Sequence, residues 1–381
     1  MKKTKIIATL GPASFTKKMI RNLIISGMDV ARINMSHEIE KGLLQNVIQF
    51  IREEAQSLDK SIAIMFDLCG PKIRVGKLNK SKSIKIEKGK TYTLGCKGSD
   101  ITMNMPLTFT DKIGNGMVKI NDGAISFDIM AIKKNKLTLC SQTNGVVVSG
   151  KGINFPGIKL NLPSVTDKDI NDLELAIELE ADWIAMSFVR SSRDIRKVKS
   201  ICKKNKSSIP IIAKIEKPEA IQNLEGIIAV FDGILVARGD LGVEMPIREL
   251  PILQKRIVNE CLKQHKPVII ATQMLETMMQ SKNPTRAEVN DIANAIYDGV
   301  DAVMLSGETA IGKFPVESIE MMAKIANSVD EDLDMENFNR YIQREYIDNQ
   351  DQRGSICHAA MTLADDLSVE NIIIMTESGQ T

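Results

Sequence analysis

Acidic and basic side chains occur at the ends of short apolar segments in this sequence. In the stretch IIAKIE, Lys214 and Glu216 follow three apolar residues, and Asp240 ends the stretch GILVARGD. Side chains alternate along a strand, so Lys214 and Glu216 share one face. Carboxylates on neighbouring strands suit a hard divalent ion, and Glu216 with Asp240 could hold Mg²⁺. Lys214 would then offer a positive charge to the same ligand, as phosphoryl transfer requires.

Polar residues end most of the other apolar segments as well. They are Arg32, Asn34 and Ser36 after the second segment, Asp67 after the third, Arg238 after the sixth, Thr272 after the seventh, and Ser306 with Glu308 after the eighth. Any single acid–base pair among them could be a plain ion pair without a ligand, because buried charges must be paired wherever they occur. Their convergence at one end of the strands favours a functional site.

Two glycines and one histidine lie close to these residues. Gly239 and Gly242 flank Asp240 and let backbone amides approach an anion, although a short glycine-containing turn is more often only a turn. His37 follows the second segment and could touch a ligand, whereas His265 has the pattern of a surface or packing residue. General-base chemistry by histidine is therefore not expected to dominate.

Eight apolar segments alternate with segments of helical spacing. The segments are TKIIATLG, DVARINMS, SIAIMFDL, WIAMSFV, PIIAKIE, GILVARGD, PVIIATQ and AVMLSGE. Apolar strands alternating with amphipathic helices indicate a parallel sheet covered by helices, and eight such units close a (β/α)8 TIM barrel of the α/β class. An open doubly wound sheet is the competing arrangement. In a barrel the active site lies at the carboxyl ends of the strands, where the charged residues fall.

Changes in hydrophobic pattern and composition along the sequence predict three domains. Residues 1–70 and 163–332 form the barrel. Residues 71–162 form an inserted, β-barrel-like all-β lid, in which Asn121, Asp122 and Gly123 between two strand-like runs predict a hairpin. Residues 333–381 form a polar linker and a partial α/β C-terminal domain with one helix and one strand, which cannot bury their own apolar faces.

Composition excludes several classes of protein. A formal net charge of +2 gives no field that would attract nucleic acid or membrane, and no apolar stretch reaches the length of a transmembrane helix. The six cysteines are scattered without a C-x-x-C pair, which argues against a disulfide framework or a zinc site. The N-terminal apolar run is too short for a signal peptide. A cytoplasmic enzyme with a small-molecule substrate is the natural expectation.

The motifs of this chain resemble those of the pyruvate kinase family along nearly the whole length. The similar segments are KTKIIATLGPAS, MDVARINMSH, FDLCGPKIRVG, GKGINFPG, LPSVTDKD, SFVRS, IPIIAKIEKPEAIQNLEGI, GILVARGDLGVEMP, KPVIIATQMLETM, NPTRAEVNDIANAIYDGVDAVMLSGETA and TESGQT. The resemblance implies transfer of the phosphoryl group of phosphoenolpyruvate to ADP, which gives pyruvate and ATP in glycolysis.

The resemblance also implies roles for individual residues. Arg32 and Lys214 would contact the moving phosphoryl group, and Glu216 and Asp240 would bind Mg²⁺ or Mn²⁺. The remaining implied contacts are Gly239, Asp240 and Thr272 with the substrate carboxylate, and Asn34, Ser36, His37, Arg74 and Lys151 with the nucleotide. Asn34, Ser36 and Asp67 also fall in the region where family members hold a monovalent cation.

Two departures from the family pattern matter. Potassium-dependent members tend to read D-T-K-G-P-E at the third strand, whereas this chain reads DLCGPK and places Lys72 at the acidic position. We expect the Lys72 ammonium to replace the monovalent cation by pairing with acceptors around Asp67, so that K⁺ is not required; a solvated lysine is the alternative. The other departure is the ending at Thr381, from which we expect little sugar-phosphate activation and a weakened homo-oligomer.

Two other functions are compatible with parts of this pattern. A magnesium-dependent barrel lyase or aldolase would also stabilise a pyruvate enolate, but it would not need Lys214, the NMSH cluster or the lid. A non-catalytic remnant of a pyruvate kinase would bind ligands without turnover. The intact set of Arg32, Lys214, Glu216, Asp240 and Thr272 argues against such a remnant.

Overall fold

The computed structural model describes residues 2–78, 83–96, 98–107, 116–133, 135–158, 160–333, 352–367, 369 and 372–373. Its strands in chain order are β1 (Lys5–Leu10), β2 (Val30–Asn34), β3 (Ala63–Asp67), β4 (Ser83–Ile86), β5 (Thr91–Gly95), β6 (Ile101–Thr102), β7 (Met117–Ile120), β8 (Ile125–Lys133), β9 (Lys136–Ser141), β10 (Gly145–Val148), β11 (Ile153–Asn154), β12 (Trp183–Met186), β13 (Ile211–Ile215), β14 (Gly233–Ala237), β15 (Val268–Ala271) and β16 (Ala302–Leu305).

The helices follow most of the barrel strands. They are α1 (Lys17–Ser26), α2 (Lys41–Ser57), α3 (Asp167–Glu178), α4 (Ile195–Lys204), α5 (Pro218–Gln222), α6 (Leu224–Val230), α7 (Arg238–Glu244), α8 (Leu250–Lys263), α9 (Arg286–Tyr297), α10 (Gly307–Ala310), α11 (Pro315–Asp332) and α12 (Gln352–Asp366), with short 3₁₀ turns at Ile247–Glu249 and Glu276–Met279.

Eight parallel strands close into a barrel in the order β1, β16, β15, β14, β13, β12, β3, β2, with β2 pairing again with β1. The eight apolar segments of the sequence are these eight strands, so the predicted TIM barrel is confirmed and the open sheet was the wrong alternative. The register places Asn34 opposite Asp67 and Lys214 opposite Leu235. Because all strands run the same way, their carboxyl ends meet at one rim.

The interior of the barrel is packed with apolar side chains. Ile7, Met65, Leu235 and Met304 form its core together with small residues such as Ala185. A filled interior leaves no pore, so the polar residues can gather only at the rim.

Local sequence explains why α9 begins and ends where it does. The Thr285 hydroxyl accepts a hydrogen bond from the Glu288 amide, and the Glu288 carboxylate accepts one from the Thr285 amide at 2.8 Å. These two hydrogen bonds form a capping box, which the sequence pattern Thr-x-x-Glu favours. Gly299 follows the helix with φ +92°, a conformation that glycine adopts at little steric cost.

An all-β insert lies between β3 and β12. It contains a six-stranded sheet in the order β11-β7-β8-β9-β5-β6 and a two-stranded sheet of β10 and β4. Asn121 and Asp122 join the antiparallel strands β7 and β8 with positive φ, as the hairpin prediction required. The insert has its own core, in which Leu94, Ile120 and Phe127 are fully buried. The domain boundaries at residues 71 and 162 stay predictions.

The chain forms two compact units, Met1–Asn327 and Ser328–Thr381. Within the second unit α12 matches the predicted C-terminal helix. Most of the predicted strand that follows it, the stretch TESGQT and most of the predicted linker lie outside the described residues. No helix in the described part of the chain is long and apolar enough to cross a membrane.

Candidate active site

Lys214 lies at the centre of the barrel rim, where β13 ends. Its side chain is 9% exposed, and its ammonium is 2.8 Å from Ser187 Oγ, 2.9 Å from Glu216 Oε1 and 3.1 Å from Asp67 Oδ1. The charges that interrupt the IIAKIE stretch therefore point into one shared polar cluster. Lys214 and Glu216 lie on the same face of the chain, as the alternation of strand side chains predicts.

Arg32 brings a second cation to this cluster from β2. Its guanidinium contacts Asp67 Oδ2 at 2.7 Å through Nη2 and 2.8 Å through Nε, and it donates to Thr9 Oγ1 at 2.7 Å. Asp67 thus joins Arg32 to Lys214 and fixes the spacing of the two cations. Two fixed positive charges at the barrel rim are chemically able to bind an anionic group.

The charges of the cluster depend on one another. Burial disfavours a charge on Lys214, but the carboxylates of Asp67 and Glu216 raise the pKa of its ammonium above the usual lysine range. Burial also acts against the charged form of Asp67, yet Lys214 and Arg32 hold the pKa of this carboxyl below its ordinary value. Lys214 is therefore a permanent cation at neutral pH.

Glu216 is fully buried, and its pKa is shifted in the opposite direction from that of Asp67. Burial and the neighbouring Asp240 carboxylate raise the pKa of Glu216, even though Lys214 acts to lower it. Its Oε2 accepts a hydrogen bond of 2.8 Å from the amide of Phe188. A carboxylate in this position would gain from a further positive charge placed between it and Asp240.

Phe188 directs its amide at Glu216 through an unusual backbone conformation. Its φ is +54°, which is rare for an aromatic residue, and its ring packs so close to Gly70 that a Cβ at Gly70 would lie 2.9 Å from Phe188 Cδ2. The ammonium groups of Lys72 and Lys217 lie 6.0 and 5.6 Å from the centre of the Phe188 ring. The ring therefore holds two cations at the edge of the site.

The sequence suggested that Lys72 pairs with acceptors around Asp67. The structure shows a different partner. Its ammonium lies 3.2 Å from Asp240 Oδ1. Asp67 is already occupied by Arg32 and Lys214, which reach it from the neighbouring rim positions. The sequence could not reveal this because the competition for Asp67 exists only in three dimensions.

Thr272 lies beside the start of α7. Its hydroxyl accepts a hydrogen bond of 2.7 Å from the Gly239 amide and donates one of 2.6 Å to the carbonyl of Ala271. The backbone of Thr272 has φ +73°, and Arg238 donates to its carbonyl at 2.9 Å. The Gly239 amide, predicted to bind a substrate carboxylate, here donates to Thr272, so an anion would have to take over that bond.

Comparisons with known proteins identify the family that this chain resembles. Residues 1–319 match the family model described as the barrel domain of pyruvate kinase. The chain is 42% identical to a pyruvate kinase of Thermococcus litoralis and 40% identical to pyruvate kinase 2 of Synechocystis, with all of this chain covered in both cases. A crystal structure of a pyruvate kinase from Cryptosporidium parvum superposes with a TM-score of 0.93, at 35% identity and over 99% of the chain.

The chain belongs to the pyruvate kinase family. It spans 64% of the length of the Synechocystis relative, 81% of the Thermococcus relative and 79% of the Cryptosporidium chain. The predicted family and fold class are thereby confirmed.

The residues that the pyruvate kinase pattern assigns to the nucleotide form two groups. Asn34, Ser36 and His37 lie at the end of β2, where Asn34 Oδ1 accepts a hydrogen bond of 3.1 Å from the Ser36 amide. Arg74 and Lys151 are neighbours in the insert, because Arg74 pairs with Gly152 in an isolated bridge. Lys151 is exposed, and Arg74 donates to the carbonyl of Gly150 at 3.0 Å.

The two candidate metal ligands fit a magnesium ion that keeps water and substrate oxygens in its shell. Asp240 acts on the pKa of Glu216, so the two carboxylates are close enough to repel each other. No group of three or more His, Cys, Asp or Glu side chains in the described chain has the arrangement of a complete metal site. Two carboxylates would leave most coordination positions of a Mg²⁺ ion to water and substrate oxygens. This suits Mg²⁺, which is rarely held by protein ligands alone.

Sequence reasoning missed Thr9 and Ser187, which bind Arg32 and Lys214. Both are polar residues at the carboxyl ends of predicted strands, β1 and β12. Thr9 is the penultimate residue of β1 and Ser187 directly follows β12, so inspecting the polar residues around every strand end, and not only the charged ones, would have found them.

Proposed function

We propose that this chain transfers the phosphoryl group of phosphoenolpyruvate to ADP and releases pyruvate and ATP in the glycolytic direction, as a cytoplasmic phosphotransferase. The buried Lys214 ammonium carries the proposal, because it is held among Asp67, Ser187 and Glu216 at the barrel rim. A lysine in this position neutralises charge on the phosphoryl group during transfer.

The other side chains complete the proposed mechanism. Arg32 binds the phosphoryl oxygens beside Lys214, while Asp67 holds both cations in place. Glu216 and Asp240 would hold Mg²⁺, which supplies positive charge to the substrate oxygens when it is bound. Thr272 and the amides of Gly239 and Asp240 orient the carboxylate end of the substrate.

The nucleotide is proposed to bind between the end of β2 and the insert. Asn34, Ser36 and His37 would contact it from the barrel, and Arg74 and Lys151 from the insert. Support comes from the pairing of Arg74 with Gly152, which brings two cationic side chains together on one part of the insert.

Replacing Lys214 with Met tests the proposal. We expect a loss of about 10³-fold in kcat, because one preorganised charge is removed from the transition state. The measurement is pyruvate formation with and without ADP. Lys204→Met is the control, since Lys204 is exposed in the last turn of α4. An inert wild type would favour a non-catalytic remnant, and pyruvate formation without ADP would favour a lyase.

We also propose that activity does not require K⁺. The Lys72 ammonium, 3.2 Å from Asp240 and 6.0 Å from the Phe188 ring centre, supports this by placing a fixed monovalent charge beside the site. The test compares turnover in tetramethylammonium buffer before and after addition of K⁺. We expect less than a twofold change, whereas a gain of about tenfold or more would contradict the proposal.

A further inference from the structure

The segment LPSVTDKD is similar to the family pattern, but none of its residues has a role in the proposed mechanism. It contains the first turn of α3, which begins at Asp167 after the N-cap residue Thr166. The Thr166 hydroxyl accepts a hydrogen bond of 3.1 Å from the Asp169 amide, and the Asp169 carboxylate accepts one of 2.8 Å from the Thr166 amide. This capping box fixes the first turn of the helix.

Two neighbouring side chains of this turn contact the two connections that carry or lead to the proposed nucleotide residues. Lys168 Nζ donates a hydrogen bond of 2.7 Å to the carbonyl of Met35, in the turn that follows β2. Asp169 Oδ1 accepts one of 2.9 Å from the amide of Gly70, in the connection that follows β3. The turn after β2 carries the nucleotide contacts proposed for the barrel, and the connection after β3 leads into the insert, which carries the others. The first turn of α3 therefore touches both connections.

The backbone of the turn after β2 is held from two sides. The Met35 amide donates to the carbonyl of Asp67 on β3 at 3.0 Å, while the Met35 carbonyl accepts from Lys168 of α3. Within the turn, the Ser36 amide donates to Asn34 Oδ1 at 3.1 Å. Without the Lys168 ammonium, the turn would keep its contact with β3 and its internal bond but would lose this contact with α3.

A second contact orients the Lys168 ammonium. It lies 2.6 Å from Asp172 Oδ2, one helical turn further along α3, where residues four apart face each other. The Asp172 side chain is 12% exposed, whereas that of Lys168 is 45% exposed. The carboxylate therefore fixes the ammonium beside the Met35 carbonyl. Hydrogen bonds from a charged donor are stronger than those between neutral groups, so this one side chain can hold the turn.

We propose that Lys168 is a positioning residue for the nucleotide. It does not touch the nucleotide but holds the turn of Asn34, Ser36 and His37 in the arrangement that binds it. The inference rests on the proposed function, from which it takes these nucleotide contacts. A turn that is already ordered loses less conformational freedom on binding, so the contact should raise the affinity for ADP. Arg32 lies within β2 and is paired with both neighbouring strands, so phosphoenolpyruvate should be unaffected.

Replacing Lys168 with Met tests the proposal by calorimetric titration with ADP and by steady-state kinetics. We expect Kd and KM for ADP to rise about fivefold, while KM for phosphoenolpyruvate and kcat change less than about twofold. Lys168→Arg keeps a charged donor and should restore the affinity for ADP. Lys199→Met is the matched control, because the Lys199 ammonium also donates to a backbone carbonyl, that of Val230 at 3.1 Å, from the exposed side of α4. A purely structural role would lower the melting temperature and leave the ratio of the two KM values unchanged.

Amide hydrogen exchange in the absence of nucleotide follows the turn itself. Lys168→Met should increase exchange at Ser36 and His37 about tenfold, and Lys199→Met should leave it unchanged. A wild type that binds no ADP would overturn the proposed function and this inference with it. A wild type that binds ADP with the same affinity as Lys168→Met would overturn this inference alone. An equal rise in KM for both substrates, or unchanged exchange in the turn, would do the same.

Discussion

Asp67 shows how one buried carboxylate organises the site at the scale of single residues. It is 1% exposed and contacts both Arg32 and Lys214. Without it, two like charges would repel each other across the rim. The acid therefore lets the fold hold two cations where an anionic substrate is expected to bind.

The lowered pKa of Asp67 predicts how stability depends on pH. The unfolded chain holds a proton on this carboxyl at a higher pH than the folded protein does, because Lys214 and Arg32 overcome the effect of burial. The stabilisation is thus complete above the unfolded value, near pH 4, and is lost as the pH falls through the lower folded pKa. We expect Asp67→Asn to cost about 3–5 kcal/mol at pH 7 and progressively less below pH 4.

Denaturant unfolding between pH 3 and pH 7 measures this difference. The exposed Asp59 provides the control, since Asp59→Asn should differ little from wild type throughout this range. A penalty for Asp67→Asn that stays constant down to pH 3 would show that the two cations do not control this titration.

At the scale of elements, the connection after β3 depends on close packing between Gly70 and Phe188. Gly70 has φ +65°, and a Cβ there would lie 2.9 Å from the Phe188 ring. We expect Gly70→Ala to lose about 2–4 kcal/mol of unfolding free energy and to lower kcat, because the displaced ring moves the amide that binds Glu216. Thermal unfolding and turnover are the measurements.

Gly89 separates the effect of packing from the effect of backbone conformation. It has φ +81°, but an added Cβ would meet nothing within 4 Å. Gly89→Ala should therefore show only the conformational cost of about 1 kcal/mol and unchanged kcat. Equal losses in the two variants would mean that the contact with Phe188 contributes nothing.

The sequence predicts the elements better than it predicts the contacts between them. Strand and helix positions follow from local periodicity, and the capping box of Thr285 and Glu288 is encoded within four residues. The partner of Lys72 depends instead on which carboxylates remain available after the barrel closes. The same holds for Arg190, whose backbone-carbonyl partners lie about 30 residues away.

At the scale of the molecule, the insert is tied to the barrel by hydrogen bonds near its end. Asn154 of β11 donates to Glu244 at 2.7 Å, and Lys217 contacts the same carboxylate oxygen. Lys119 of β7 donates to the carbonyl of Val243 at 2.7 Å. These contacts meet at the end of α7, the helix that carries Asp240.

Removing Asn154 should loosen the insert while the barrel stays intact. We expect Asn154→Ala to increase hydrogen exchange in β11 about tenfold and to raise KM for ADP more than it lowers kcat, because the insert carries two of the proposed nucleotide contacts. Asn144→Ala is the control. It removes an asparagine that accepts from the Lys88 amide at 2.9 Å within the insert. Identical exchange in both variants would show that Asn154 does not anchor the insert.

Met65 of β3 pairs with Trp183 of β12, although the whole insert separates these two strands along the chain. This separation affects the order of folding. The Ile153 amide donates to the carbonyl of Ile73 at 2.9 Å, so a folded insert brings its own two ends together. With the insert folded, the loop that must close to pair β3 with β12 is about a third as long as with the insert unfolded. This lowers the entropic cost of loop closure by about 1 kcal/mol. We therefore expect the insert to reach its native structure first and the barrel to close afterwards.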